Sequence, residues 1–310
     1  MWLIALILVL CSSCGGPEGG WLEQEQKVCP KGDVSSGIDV SHWDDTIDWA
    51  SVAASGVRFT VIKATEKSDF IDPAFATNWA GSKQHGIIRG AYHFFRAAVD
   101  PIAQADHFLK VLGSSQLGDL PPTLDLESTD GLSGQVASQR ALQFLDRVAT
   151  KTGRTPIVYT SVRVFSQELN NPAGFGPYTL WVSSRLVNCP DIPAPPWSDW
   201  AFWQHTSKGT VPGISSQVDL NKFNGSLTEL QSFASGGAMD GGVDALVGGV
   251  DSAVVGAVGD AAVGADAAGE PVPQEGCQIA PGGRPPGRGM LVLLLGLAAA
   301  FRLRRRATVQ

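Results

Sequence analysis

Between Gly37 and Phe223 the chain repeats one pattern, a short apolar run followed by a longer stretch with helix punctuation, and this limits the folds open to it. Eight runs read as strands: Gly37–Ser41, Phe59–Ala64, Ile88–Phe95, Thr123–Glu127, Pro156–Ser161, Thr179–Ser183, Trp200–His205 and Val218–Phe223. Continuous apolar runs of this length suit strands buried on both faces. Asp72-Pro73 and Asp100-Pro101 read as helix starts, with Gly86 and Gly113 as the matching ends. A third helix is expected from near Ser133 to Thr152, with Gly153 after it. Asp or Ser can cap the first turn, Pro fits its first position, and Gly suits the residue past the end. Such alternation predicts an α/β fold, a TIM-like (β/α) barrel of eight strands. The barrel is irregular. Only Thr206 to Gln217 separate the last two strands, with Gly209, Pro212 and Gly213 among them, so the connector reads as a hairpin loop rather than a parallel crossover with a helix. The last strands therefore lack helices, and the eighth is expected to run antiparallel to the seventh.

The flanks differ from this middle. Residues 1–14 open on MWLIALILVL and read as an export signal. Small residues before Cys14 leave two outcomes open, lipoprotein-type acylation of Cys14 or plain cleavage. Residues 15–36 form a polar leader, 37–230 the catalytic barrel, and 235–275 a linker rich in Gly, Ala, Val and Asp. Residues 276–310 form a tail: Cys277, then the apolar run Met290–Phe301, then Arg302, Arg304, Arg305 and Arg306. As a helix the run would be about 18 Å long, short against a hydrocarbon core of about 30 Å. The tail resembles the C-terminal sorting tails of myxobacterial surface proteins, which would make Cys277 an anchoring residue; a simple membrane anchor is the alternative. The chain has five cysteines. Cys29 and Cys189 are those that fall in the core region; in an oxidising compartment they either pair or stay free.

Four acids sit where a charge is costly without a purpose. Asp39 lies on the first strand, Asp125 and Glu127 on the fourth, Asp219 on the eighth. Strand residues two apart share a face, so Asp125 and Glu127 project together while Leu124 and Leu126 point away. Carboxyls that close compete for ionisation, which raises one pKa and creates a proton donor. That suits glycosidic cleavage. In a closed barrel the first and eighth strands are neighbours, which would set Asp39 and Asp219 on the same cleft. Trp43, Tyr92, Phe94, Tyr159, Trp181 and Trp203 fall on or just after strands. Sugar faces stack on aromatic rings, and Tyr92, Tyr159, Trp181 and Trp203 are read as cleft residues, Phe94 as core. His93, beside Tyr92, is read as a satisfied core residue. No His pair has metal-ligand spacing and no phosphate loop is present, so neither metal nor cofactor is expected. The net charge of −7 argues against a nucleic-acid partner.

The chain resembles the glycoside hydrolase family 25 lysozymes, the Chalaropsis-type N-acetylmuramidases. The resemblance rests on GIDVSHWDDTIDW (37–49), FTVIKATEKSDFIDPAF (59–75), GAYHFFR (90–96), PPTLDLE (121–127), PIVYTS (156–161), LWVSS (180–184), FWQHT (202–206) and VPGISSQVDLNKF (211–223). It implies a lysozyme (EC 3.2.1.17) that cleaves the β-1,4 bond from N-acetylmuramic acid to N-acetylglucosamine in peptidoglycan. It implies Glu127 as general acid and Asp125 as its partner, which either positions the substrate acetamido group or stabilises the oxocarbenium-like centre. Asp39 and Asp219 would complete the acidic cleft, and Tyr92, Tyr159, Trp181 and Gln204 would line the groove. The chain departs from the family pattern at Lys67, where Gly is common, at Ser184-Arg185, where Tyr often stands, and at His205, which replaces a Tyr. The expected partner is the peptidoglycan glycan strand, with a membrane only through the terminal anchors, acting as a monomer at the cell surface or outside the cell, with outer-membrane anchoring as one form. Two rival readings remain: a non-catalytic peptidoglycan-binding surface protein on the same barrel, and a hydrolase for chitin-like polymers.

Overall fold

The computed structural model describes residues 25–113, 117–185 and 187–237. The export signal with Cys14, the tail with Cys277 and all but the first three residues of the 235–275 linker lie outside the described residues. In chain order the elements are β1 (Glu25–Lys27), β2 (Ser35–Val40), α1 (Trp49–Ala54), β3 (Phe59–Glu66), β4 (Phe70–Ile71), α2 (Phe75–Gln84), β5 (Ile88–Phe94), α3 (Pro101–Leu112), β6 (Thr123–Asp125), α4 (Gly134–Thr152), β7 (Ile157–Thr160), β8 (Thr179–Ser183), β9 (Asp191–Pro193), β10 (Phe202–Gly209), β11 (Val218–Phe223) and α5 (Leu227–Ala234). A π-helical segment, Arg163–Glu168, follows β7.

Eight of these strands close a barrel. The order β2, β3, β5, β6, β7, β8, β10 is parallel throughout, and β11 joins β10 to β2 antiparallel to both. The expected antiparallel eighth strand is therefore present, and no helix separates β10 from β11. The short β4 pairs on the end of β3.

Alternation along the strands divides the core in two. Phe59, Val61, Ile157, Tyr159, Trp181, Phe202 and Phe223 fill the interior. Ile38, Val40, Ile62, Ala64, Leu124, Leu126, Val158, Leu180 and Val182 face outward against Phe75, Phe108, Phe144 and Leu145 of the helices. A side chain at Gly37 would collide with the Phe59 ring, so this strand start requires glycine. The helix α5 seals the bottom: Leu230, Phe233 and Ala234 join the interior core, with Phe233 5.8 Å from Phe202 and 6.1 Å from Phe223. Arg154 holds its end, donating to the carbonyls of Ala234 (3.0 Å) and Asp119 (2.6 Å). With the bottom closed, access is from the carboxyl ends of the parallel strands.

Two of the three helix starts stand as read. Asp100 Oδ1 accepts from Ala103 N at 2.7 Å with Pro101 in the first turn, and Ser133 Oγ accepts from Val136 N at 3.3 Å. Gly113 and Gly153 end those helices at φ 66°. The expectation at Asp72-Pro73 needs correction, because α2 begins at Phe75. Asp72 Oδ1 accepts from Ala74 N at 2.9 Å, one residue before the helix, while its Oδ2 is taken by His42, whose Nδ1 lies at 2.6 Å and whose backbone N lies at 3.2 Å. The sequence reading also passed over α1, α5, β1, β4 and β9.

Residues 25–29 are tied to the barrel domain through a separate two-stranded sheet and a disulfide. β1 pairs antiparallel with β9, Trp200 Nε1 donates to Val28 O at 2.8 Å, and Cys29 and Cys189 form a disulfide with Cα atoms 4.6 Å apart. The two sulfurs are 160 residues apart in sequence. A loop that long loses about 5 kcal/mol of chain entropy in the unfolded state when cross-linked. Replacing both cysteines by serine is expected to lower the melting temperature by about 10 °C, read by calorimetry. Lys67, in the β3–β4 turn, has φ 55°, in the left-handed region that favours glycine. Lys67→Gly is expected to raise stability by about 0.5–1 kcal/mol, read by denaturant titration.

Candidate active site

Barrel closure brings the four acids together at the mouth. Asp219, near the start of β11, sits opposite Asp39, near the end of β2. Asp125 ends β6 and pairs in register with Phe94 and Tyr159 on its two sides. Glu127 lies two residues further on, past the strand. The pair differs in environment, since Asp125 is buried and Glu127 exposed. Burial, then the charge of Glu127, then that of Asp39 push the Asp125 carboxyl well above the usual carboxylate range, with Lys63 opposing. Asp125 Oδ1 is buried and has no hydrogen-bond partner among the described residues. Such an atom is costly to hold, and a donor on a bound sugar would satisfy it.

Asp39 is held differently. Its Oδ2 accepts from Gln204 Nε2 at 2.9 Å and from Asn221 Nδ2 at 2.7 Å. Burial and the neighbouring Asp219 raise its pKa well above normal against these two donors. Gln204 is a hub: its Oε1 accepts from Tyr159 Oη (2.9 Å), Ser183 Oγ (3.2 Å) and Arg185 Nη2 (2.8 Å). Those contacts fix which end of the amide faces Asp39. Trp181 Nε1 donates to Asn221 Oδ1 at 2.8 Å, and the Tyr159 and Trp181 rings meet edge to face at 4.7 Å. Four of the sequence-named residues, Asp39, Tyr159, Trp181 and Gln204, therefore belong to one hydrogen-bonded floor. Tyr92, half-buried on β5, lies in the same field of carboxylates. Burial and then Asp125 and Asp39 push its phenol well above its ordinary pKa.

Two aromatic assignments change. Trp203 is buried in the outer core, its Nε1 donating to Ser184 O at 2.6 Å, so it does not line the cleft. Its neighbours Phe202 and Gln204 face inward, and adjacent strand residues must point opposite ways. Phe94 shares a face with Tyr92 and reaches the mouth rather than the core, with Lys63 Nζ 4.8 Å and the Arg96 guanidinium carbon 5.2 Å from its ring centre. Trp43 stands 78% exposed beside His42, with ring centres 4.5 Å apart. His93 is a satisfied core residue, between Thr65 Oγ1 (2.8 Å) and Gln104 Oε1 (3.1 Å) and stacked on Phe144. Burial depresses its pKa to about 3.

Several polar residues of the mouth were not singled out from sequence. Lys63 on β3 is 7% exposed and its Nζ lies 2.9 Å from Glu66, which also pairs with Arg96 at 3.1 Å; Arg96 in turn reaches Asp130 at 3.3 Å. Burial opposes the charge on Glu66, but Lys63 and Arg96 hold its carboxyl below the usual range. A lysine inside an apolar strand was the available signal. Asn221 was marked by standing two residues after Asp219. Asp44 is raised to about 6, by burial first and by Asp219 among its neighbours, although Ser41 N donates to it at 2.8 Å.

The mouth thus combines an exposed carboxyl, a buried carboxyl with an open acceptor, two further acids and an aromatic floor. These are the parts needed to donate a proton to a glycosidic oxygen beside a stabilised positive centre.

The chain is similar to known proteins. The chain is 41% identical over 206 residues to Uncharacterized protein YegX of Escherichia coli K12, covering 64% of this chain and 73% of that protein. It is 37% identical over 211 residues to Lysozyme M1 of Streptomyces globisporus, covering 64% and 71%. The crystal structure of the bacterial lysozyme from Streptomyces coelicolor aligns with TM-score 0.63 and 36% identity, over 66% of this chain and 98% of that one. A sequence model of the glycosyl hydrolases family 25 matches residues 38–214, and the chain belongs to that family.

Proposed function

We propose that the barrel hydrolyses the β-1,4 bond between N-acetylmuramic acid and N-acetylglucosamine in bacterial peptidoglycan, as a Chalaropsis-type muramidase with Glu127 as general acid. The observation that carries the assignment of roles is the asymmetry of the acidic pair: Glu127 is exposed at the mouth, while Asp125 is buried with Oδ1 unsatisfied. Lysozyme relatives support the reaction. Glu127 gives its proton to the glycosidic oxygen as the bond to the anomeric carbon breaks. Asp125, beside it, accepts an N–H or O–H of the muramyl sugar at its open Oδ1 and so positions that sugar as the bond breaks. Water then adds to the anomeric carbon and its proton restores Glu127. Asp39, held by Gln204 and Asn221, and Asp219 opposite it shape the field of the cleft. Tyr92, Tyr159, Trp181 and Gln204 line the groove.

Around this barrel we place the export signal at 1–14, the leader at 15–36, the linker at 235–275 and a sorting or anchoring tail at 276–310. The enzyme then works outside the cytoplasm, as a monomer tied to a membrane only through Cys14 or the tail at Cys277.

Glu127→Gln is expected to lower reducing-end release from purified peptidoglycan by about a thousandfold with stability changed by less than about 0.5 kcal/mol, because the residue is exposed. Undiminished release would remove the role given to Glu127. Asp125→Asn is expected to lose activity and also to change how stability depends on pH. The folded state holds the Asp125 proton more tightly than the unfolded chain, so this residue's contribution is fully present below about pH 4 and is lost as pH rises above that. The variant's melting temperature, relative to wild type, should therefore climb between pH 4 and pH 7.

A further inference from the structure

We propose that Arg185 is a specificity-determining residue that binds a carboxylate carried by the muramyl substituent of the glycan. The inference rests on the muramidase reading above and adds to it which substrates the cleft prefers.

The argument starts from charge. Asp39, Asp44, Asp125, Glu127 and Asp219 crowd one mouth, and Asp39, Asp44 and Asp125 are each raised by burial first and by carboxylate neighbours after it. N-acetylmuramic acid bears a lactyl carboxyl, and the peptide that replaces its acid function ends in carboxylates of its own. A glycan with such groups meets net repulsion at this mouth unless a cation faces it. Lys63 and Arg96 are already engaged, with Glu66 and with Glu66 and Asp130. Arg185 is placed otherwise. It follows β8, is exposed, and forms no ion pair with any described residue.

Arg185 is nevertheless fixed in position. Its Nη2 donates to Gln204 Oε1 at 2.8 Å and its Nη1 to Ser207 Oγ at 3.2 Å. Gln204 is the residue that donates to Asp39, so the guanidinium is two hydrogen bonds from the acidic floor. A guanidinium has five N–H donors in a planar fork; two are used here, and the others have no partner among the described residues. A preset fork of unused donors at the edge of a groove matches carboxylate geometry better than a mobile ammonium would. The neutral contacts with Gln204 and Ser207 orient the group without cancelling its charge.

The test uses three soluble glycan oligomers of equal length. One has free lactyl carboxylates and no peptide. One carries the stem peptide, so that the lactyl group is an amide and the carboxylates are on the peptide. One has the lactyl group capped as a methylamide and bears no charge. Initial rates give kcat and KM for wild type, Arg185→Gln and Arg185→Lys. The expected result is that Arg185→Gln lowers kcat/KM by about five- to tenfold more on a carboxylate-bearing glycan than on the neutral one. The loss should lie in KM, with partial recovery in Arg185→Lys. Whichever charged oligomer shows the effect identifies the lactyl group or the peptide as the source. An equal fall on all three oligomers would mean that Arg185 only steadies Gln204, and would overturn the inference, as would no fall at all. A wild-type enzyme that cleaves none of the three would instead remove the muramidase reading.

Discussion

The pairing of β11 between β10 and β2, antiparallel to both, is the contact on which the site depends. A parallel eighth strand would have needed a crossover of a dozen residues or more; only residues 210–217 lie between β10 and β11, which suits the reversed direction. Reversal changes which end of the strand reaches the mouth. Asp219 and Asn221 come from the start and middle of β11, opposite Asp39 and Gly37, whereas the last residue, Phe223, is carried to the bottom beside Phe202. One strand therefore supplies both an acid at the opening and an aromatic ring at the closed end. The helix α5 then packs on that ring and seals the floor.

Electrostatics decides what the closed barrel can do. Burial, then neighbouring carboxyls, push both Asp39 and Asp125 above the usual carboxylate range, yet the two are held differently. Two amide donors satisfy Asp39, and those donors are themselves held by Tyr159, Ser183, Arg185 and Trp181. Asp125 has a buried oxygen left open. A rigid, satisfied carboxyl beside an unsatisfied one is the pattern expected where a ligand completes the hydrogen bonding. Since sugars bring hydroxyl and acetamido donors, the cost of leaving Asp125 open is recovered only when the glycan is in place.

Much of this was legible in the sequence because the relevant signals are local. Apolar runs located all eight barrel strands, Asp100-Pro101 and Ser133 located two helix starts, and charges inside apolar strands located the acids. Strand alternation also separated Tyr92 from His93. The same rule, applied two residues further, would have put Phe94 at the mouth and Trp203 outside, since Gln204 could not share a face with its neighbour. Other features rest on long-range partners that no local pattern announces. Asp72 turns one oxygen to Ala74 N ahead of the helix and the other to His42, 30 residues earlier. Arg96 meets Glu66 and Asp130 only because β5 lies between β3 and β6. The short α5 is stabilised by aromatic residues of other elements rather than by its own length.

Acting as proposed, the paired acids cut on the reducing side of N-acetylmuramic acid. Digestion of purified peptidoglycan, followed by borohydride reduction and mass analysis of the products, tests this directly. New ends that carry reduced N-acetylmuramic acid are the predicted result. New ends that carry reduced N-acetylglucosamine, or no new ends at all, would contradict it.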